Sequence, residues 1–140
     1  MANKSALVSK FLKITNATRS AVNFELSVQK EHTNRLGILH GGTIASMVDL
    51  GGSLAVASKG LFSTGVSTDL NVTYISSGGK IGDKILAKAT CDRFGKTLAF
   101  TSILFFNERE ELVARGSHTK YVAQAWKDEN NIVAQLSLRE

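Results

Sequence analysis

The chain has 140 residues, 43% of them hydrophobic and 21% charged, with a formal net charge of +5. That is the size of one domain with a real core, still small enough to gain from self-association. No run has the apolar length of a membrane-spanning helix and no secretory signal pattern is present. The lone cysteine, Cys91, excludes an intrachain disulfide and suits a reducing compartment.

The charge is unevenly placed. Lys4, Lys10, Lys13 and Arg19 stand in residues 1–24 without an acid, so +4 of the total lies there and the remaining 116 residues carry +1. No basic stripe with interleaved aromatics follows, which argues against nucleic acid as a partner. The basic, Ser/Thr-containing start reads as a surface-exposed lead-in over 1–19 or as a mitochondrial targeting segment, so the expected compartment is cytoplasmic or mitochondrial. His32, His40 and His118 are too scattered for a metal site.

Along the chain, Val22, Phe24, Leu26 and Val28 alternate with Asn23, Glu25 and Ser27, the period of a half-buried strand. Thr33 to Gly37 reads as a loop. From Gly41 to Lys59 an apolar run predicts one long helix, with Gly60 as its stop. Gly51 and Gly52 inside it cost about 1 kcal/mol each relative to Ala, which points to close approach by another surface. Residues 65–75, 83–92, 97–106 and 111–123 read as strands joined by short turns. A strand, a buried helix and an antiparallel meander make an α+β domain over 20–123, its sheet wrapped around one helix. Residues 124–140 are polar and read as a tail.

The densest chemistry lies in Leu39-His40-Gly41-Gly42 and Asp49. A helix N-terminus offers unpaired N–H groups to a negative oxygen, and an acid two turns inside an apolar helix is costly unless paired or used. Gly42, Ala45, Ser46, Gly52 and Ser53 share the Asp49 face, so the carboxylate lies in a trough of small residues. Asp49 could equally cap a backbone or pair with a cation across an interface. His40 alone reads as a turn-stabilising histidine, and Gly41-Gly42 alone as a tight helix entry.

Four ordered segments carry a resemblance: Asn34-Arg35-Leu36-Gly37-Ile38-Leu39-His40-Gly41-Gly42 with Asp49, Gly65 to Tyr74, Gly95 to Thr101, and Gly116 to Lys120. Over about residues 20–122 the chain resembles the hotdog-fold acyl-CoA thioesterases, in the branch of the phenylacetate-pathway enzymes and thioesterase superfamily member two. The resemblance implies that Asp49 is general base or nucleophile and that the Gly41 N–H polarises the thioester. It further implies that Asn34 and Ser67 orient water or thioester, and that His40 lies near the thioester. The acid would come from the subunit facing the one that supplies Gly41, in a homo-oligomer built as a dimer of dimers.

The same resemblance places coenzyme A against Tyr74, Lys80, Arg93, Lys96, Thr97 and His118, with Lys80, Arg93 and Lys96 as phosphate partners. Singly, each cation also reads as a solvated turn residue. The turn Ser76-Ser77-Gly78-Gly79 is one residue longer than the family's and lacks its proline. No cofactor is expected, since coenzyme A is part of the substrate. Met47, Leu50 and Leu54 are candidates for an acyl tunnel or plain core, and the motifs lean to fatty acyl chains. The rival readings are a non-catalytic acyl-CoA binding protein and an enoyl or hydroxyacyl thioester hydratase.

Overall fold

The computed structural model describes residues 11–137. Six strands form one antiparallel sheet: β1 (Leu12–Ala17), β2 (Ala21–Ser27), β3 (Val66–Tyr74), β4 (Lys84–Phe94), β5 (Leu98–Phe106) and β6 (Leu112–Tyr121). Their spatial order is β1-β2-β4-β5-β6-β3, so β1 and β3 are the edges. The helix α1 (Gly41–Ala57) lies across one face and touches every strand from β2 to β6. The expected α+β architecture, a sheet wrapped around one long helix, is the one observed.

The inward residues follow the pleat. Val22, Phe24, Leu26 and Val28 are buried, as are Ile85, Ala87 and Ala89 on β4 and Ile103 and Phe105 on β5. They meet Ile44, Met47, Val48, Ala55 and Val56 of α1. Met47 is therefore core, whereas Leu50 and Leu54 stay partly buried at its margin.

Two segments differ from the sequence reading. Within the expected lead-in over 1–19, Leu12–Ala17 pairs with β2, with Thr15 bulged between Ile14 and Asn16. An edge strand with nearly every side chain exposed leaves no alternation to read. Residues 1–10, which hold most of the proposed targeting segment, lie outside the described residues.

The expected tail is also tied down. The Trp126 ring packs on Phe94 at 4.9 Å between centroids, and its Nε1 donates to the Gly95 carbonyl at 3.0 Å. Asn131 accepts from the Phe62 N–H and donates to the Ala125 carbonyl, both at 2.8 Å. The short helix α2 (Val133–Ser137) follows. These anchors are single residues with no periodicity, so composition alone reads as tail.

The mid-helix glycines answer to close packing. A Cβ at Gly51 would stand 3.0 Å from the Phe24 ring, and one at Gly52 would stand 2.2 Å from Nδ1 of His118 and 2.8 Å from Oγ1 of Thr101. Gly52→Ala should therefore lower stability by about 1–3 kcal/mol in chemical denaturation, against the gain that helix propensity alone would give. An unchanged or raised midpoint would show that the ring can move aside.

Candidate active site

At its first turn α1 is capped by the residue before it. His40 adopts extended backbone, and its Nδ1 accepts from the Gly42 N–H at 2.8 Å. The Thr43 and Ile44 N–H groups reach the His40 carbonyl. Of the first four helical N–H groups, only that of Gly41 is left without a partner, aligned with the positive end of the helix dipole. The Tyr74 hydroxyl donates to the Gly41 carbonyl at 2.7 Å, fixing the turn against the end of β3.

The preceding loop is ordered by Asn34. Its Oδ1 accepts from the N–H groups of Leu36 (2.9 Å) and Ile38 (3.2 Å), and Gly37 takes φ +70° to close the turn. The oxygen is thus occupied, leaving the amide NH2 as the free donor of that side chain.

Asp49 sits in the middle of α1 with its side chain 46% exposed. Its Oδ1 is 3.6 Å from Nε2 of His118 on β6, and the same Nε2 lies 2.7 Å from the Ser67 hydroxyl on β3. A bulge at Thr68 sets the local register of Ser67 opposite Lys120. His118 is fully buried, and its Nδ1 has no hydrogen-bond partner where it faces Gly52. From this geometry we assign the neutral ring's proton to Nε2, directed at Ser67 and Asp49. Burial, and then the Lys120 charge, push the His118 pKa down, while Asp49 and Asp69 pull it up.

Lys120, two residues on and on the same inward face, is also buried, and its Nζ donates to the Ser53 hydroxyl at 2.8 Å. Burial lowers its pKa, opposed by Asp49. The sequence reading missed this lysine. The available signal was period two from His118, which places Lys120 on the sheet face that meets the helix.

The residues expected to hold coenzyme A do not converge within one protomer. Tyr74 and Lys80 lie at the end of the sheet where α1 begins, and exposed Lys80 borders a cleft of about 340 Å³ with Lys84 and Arg109. Arg93, Lys96 and Thr97 are exposed at the opposite end, about the β4–β5 turn. Across the ladder Tyr74 stands level with Ala87 of β4, so along the strands the six residues from there to Arg93 set it roughly 20 Å from the second group. His118 lies in neither group: it is an inward, wholly buried partner of Ser67 and Asp49.

Comparison with known proteins places this architecture. The sequence profile of the thioesterase superfamily matches residues 36–114. Over 120 residues the chain is 50% identical to a Schizosaccharomyces pombe protein named as a candidate esterase, covering 86% of this chain and 74% of that protein. It is 39% identical over 112 residues to human acyl-coenzyme A thioesterase 13, covering 79% of each. The crystal structure of mouse thioesterase superfamily member 2 matches with a TM-score of 0.74 at 38% identity, over 81% of this chain and 83% of that one. With its six-stranded sheet wrapped on one helix, the chain belongs to the thioesterase superfamily.

Proposed function

We propose that the protein is an acyl-CoA thioesterase, releasing a free acid and coenzyme A, whose site is assembled from two copies of the chain. One observation carries the reading. The Gly41 N–H stands at the N-terminus of α1 without a partner, and the Asp49 carboxylate lies on the same helix beside Ser67 and His118. Eight residues at 1.5 Å each separate them by about 12 Å along the axis. A carbonyl polarised by Gly41 is therefore out of reach of the Asp49 of its own chain. A two-fold axis passing near Ala45 brings each Asp49 level with the other chain's Gly41. The small residues Gly42, Ala45 and Ser46 let the helices approach, and the exposed edge of β3 supplies a surface for pairing.

In that arrangement the thioester oxygen accepts the Gly41 N–H of one chain, with the Asn34 amide beside it, and His40 borders the same turn. Asp49 of the other chain takes the proton of a water held by Ser67 as the water oxygen bonds to the acyl carbon, or attacks that carbon itself to form an anhydride that water then hydrolyses to the free acid; in either route the C–S bond breaks and coenzyme A leaves as its thiolate. The reading calls for no metal. The two-fold also brings Tyr74 and Lys80 of one chain toward Arg93, Lys96 and Thr97 of the other, supporting their shared role at the coenzyme phosphates. A medium or long fatty acyl chain is supported by an apolar groove of about 510 Å³ between Leu12, Ile14, Leu50 and Leu54.

Thiol release from a panel of acyl-CoAs should fall by at least about a thousandfold in Asp49→Ala, with assembly intact; retained turnover would remove Asp49 from the reaction, and binding without turnover by the parent protein would make it a carrier. Gly41→Pro deletes the N–H at a helix position that tolerates proline and should lower kcat about a hundredfold or more. Dissociating and remixing these two variants should restore about a quarter of the parent activity, because half the dimers carry one intact composite site. Sites contained within single chains would restore none. Leu54→Trp should reduce kcat/KM for long acyl chains about tenfold while sparing short ones; equal loss for both would detach the groove from the acyl chain.

A further inference from the structure

The site holds a buried cation that the proposed reaction does not use. Lys120 lies one inward position beyond His118 on β6, is 4% exposed, and spends one of its three donors on the Ser53 hydroxyl. Ser53 follows Gly52, whose missing side chain admits the His118 ring. Burying an ammonium is costly unless it is paired, and here the Ser53 hydroxyl and the Asp49 charge offset only part of that cost. A methionine would fill the same space without that cost. What a methionine there would lack is the charge.

We propose that Lys120 is a positioning residue of the reaction: anchored on Ser53, its ammonium keeps the neighbouring imidazole uncharged, with its single proton directed at Ser67 and Asp49. An uncharged ring donates from Nε2 and leaves the Ser67 hydroxyl proton free for water or thioester. A charged ring would pair with Asp49 at 3.6 Å and hold the carboxylate away from its task. The charged groups acting on the ring are Lys120 from its own strand, Asp49 from α1 and Asp69 from β3. From β5 and β4 the same level presents Thr101 and Cys91, and burial pushes the Cys91 thiol up, away from ionisation. Two acids thus favour a charged imidazole, and Lys120 joins burial in opposing them.

The inference rests on the assignment of His118 and Asp49 to the site, and its test separates the two. The side-chain nitrogens of His118 are titrated by NMR in the assembled protein, assigned with His118→Gln, for the parent, Lys120→Met and Lys120→Arg. Lys120→Gln replaces the Met variant if that one does not assemble. Losing the charge should move the imidazole midpoint up by about one unit, and the acid limb of kcat/KM should move up with it. Arginine should hold both within about 0.3 unit of the parent. An unmoved midpoint in Lys120→Met, or an equal shift in Lys120→Arg, overturns the role of Lys120 whatever the activity shows. A shifted midpoint with an unmoved acid limb also overturns it, since the ring's charge would then not matter to the reaction. Should Asp49→Ala retain hydrolysis, the site assignment fails instead, and the NMR midpoints report that separately.

Discussion

Helix α1 meets the sheet at a point where it has no side chain, and the His118 ring occupies the space that a Cβ on Gly52 would need. Much else depends on that contact. With Nδ1 turned to the helix, Nε2 is left toward Ser67 and Asp49, so one imidazole ties a strand, the central helix and the edge strand together. The next inward position of β6 carries Lys120 to Ser53, a second polar link between the same two elements. The cost of about 1 kcal/mol for a mid-helix glycine is thus offset by packing that no larger residue permits.

The second governing constraint is the stiffness of that helix. The unpartnered N–H at position 41 and the carboxylate at position 49 cannot be brought together by bending a regular helix, whose rise fixes them about 12 Å apart. The sheet repeats the division. Its two ends carry different parts of the expected coenzyme site, Tyr74 and Lys80 at one and Arg93, Lys96 and Thr97 at the other. Helix and sheet thus divide the expected site in the same direction, and the proposed isologous pair of chains would rejoin both divisions with one symmetry operation.

The strongest periodic signals were legible in the sequence. The Val22-to-Val28 alternation and the apolar run after His40 gave the strand and helix that form the core, and His-Gly-Gly gave a capped helix start. Strand β1 was not legible, because an exposed edge shows no alternation, and the anchors of the C-terminal segment are single long-range hydrogen bonds. Among site residues, Asp49 stood out as an acid in an apolar run. Periodicity marks neither His118 nor Lys120 as special; the resemblance singles out His118, as a coenzyme contact, and leaves Lys120 an ordinary polar residue on a strand. Their burial follows from the face that β6 presents to α1, a fact of topology more than of local pattern.

The two sheet edges are not alike. Strand β1 carries Lys13 and a bulge at Thr15 in the middle of its six residues, features that discourage pairing with another chain, whereas the bulge of β3, at Thr68, lies near one end. Strand β3 has a regular ladder from Asp69 to Tyr74 and leaves Val66, Leu70 and Tyr74 63%, 40% and 53% exposed. An open edge invites uncontrolled association, and antiparallel pairing of β3 with its own copy would satisfy its backbone groups and cover Leu70. That pairing runs the two α1 helices in opposite directions, the alignment that the separated Gly41 and Asp49 require. Closing the edge and completing the proposed site would thus be one and the same contact. Under this reading a folded single chain carries two half-sites, each sound in itself and neither able to turn over a thioester.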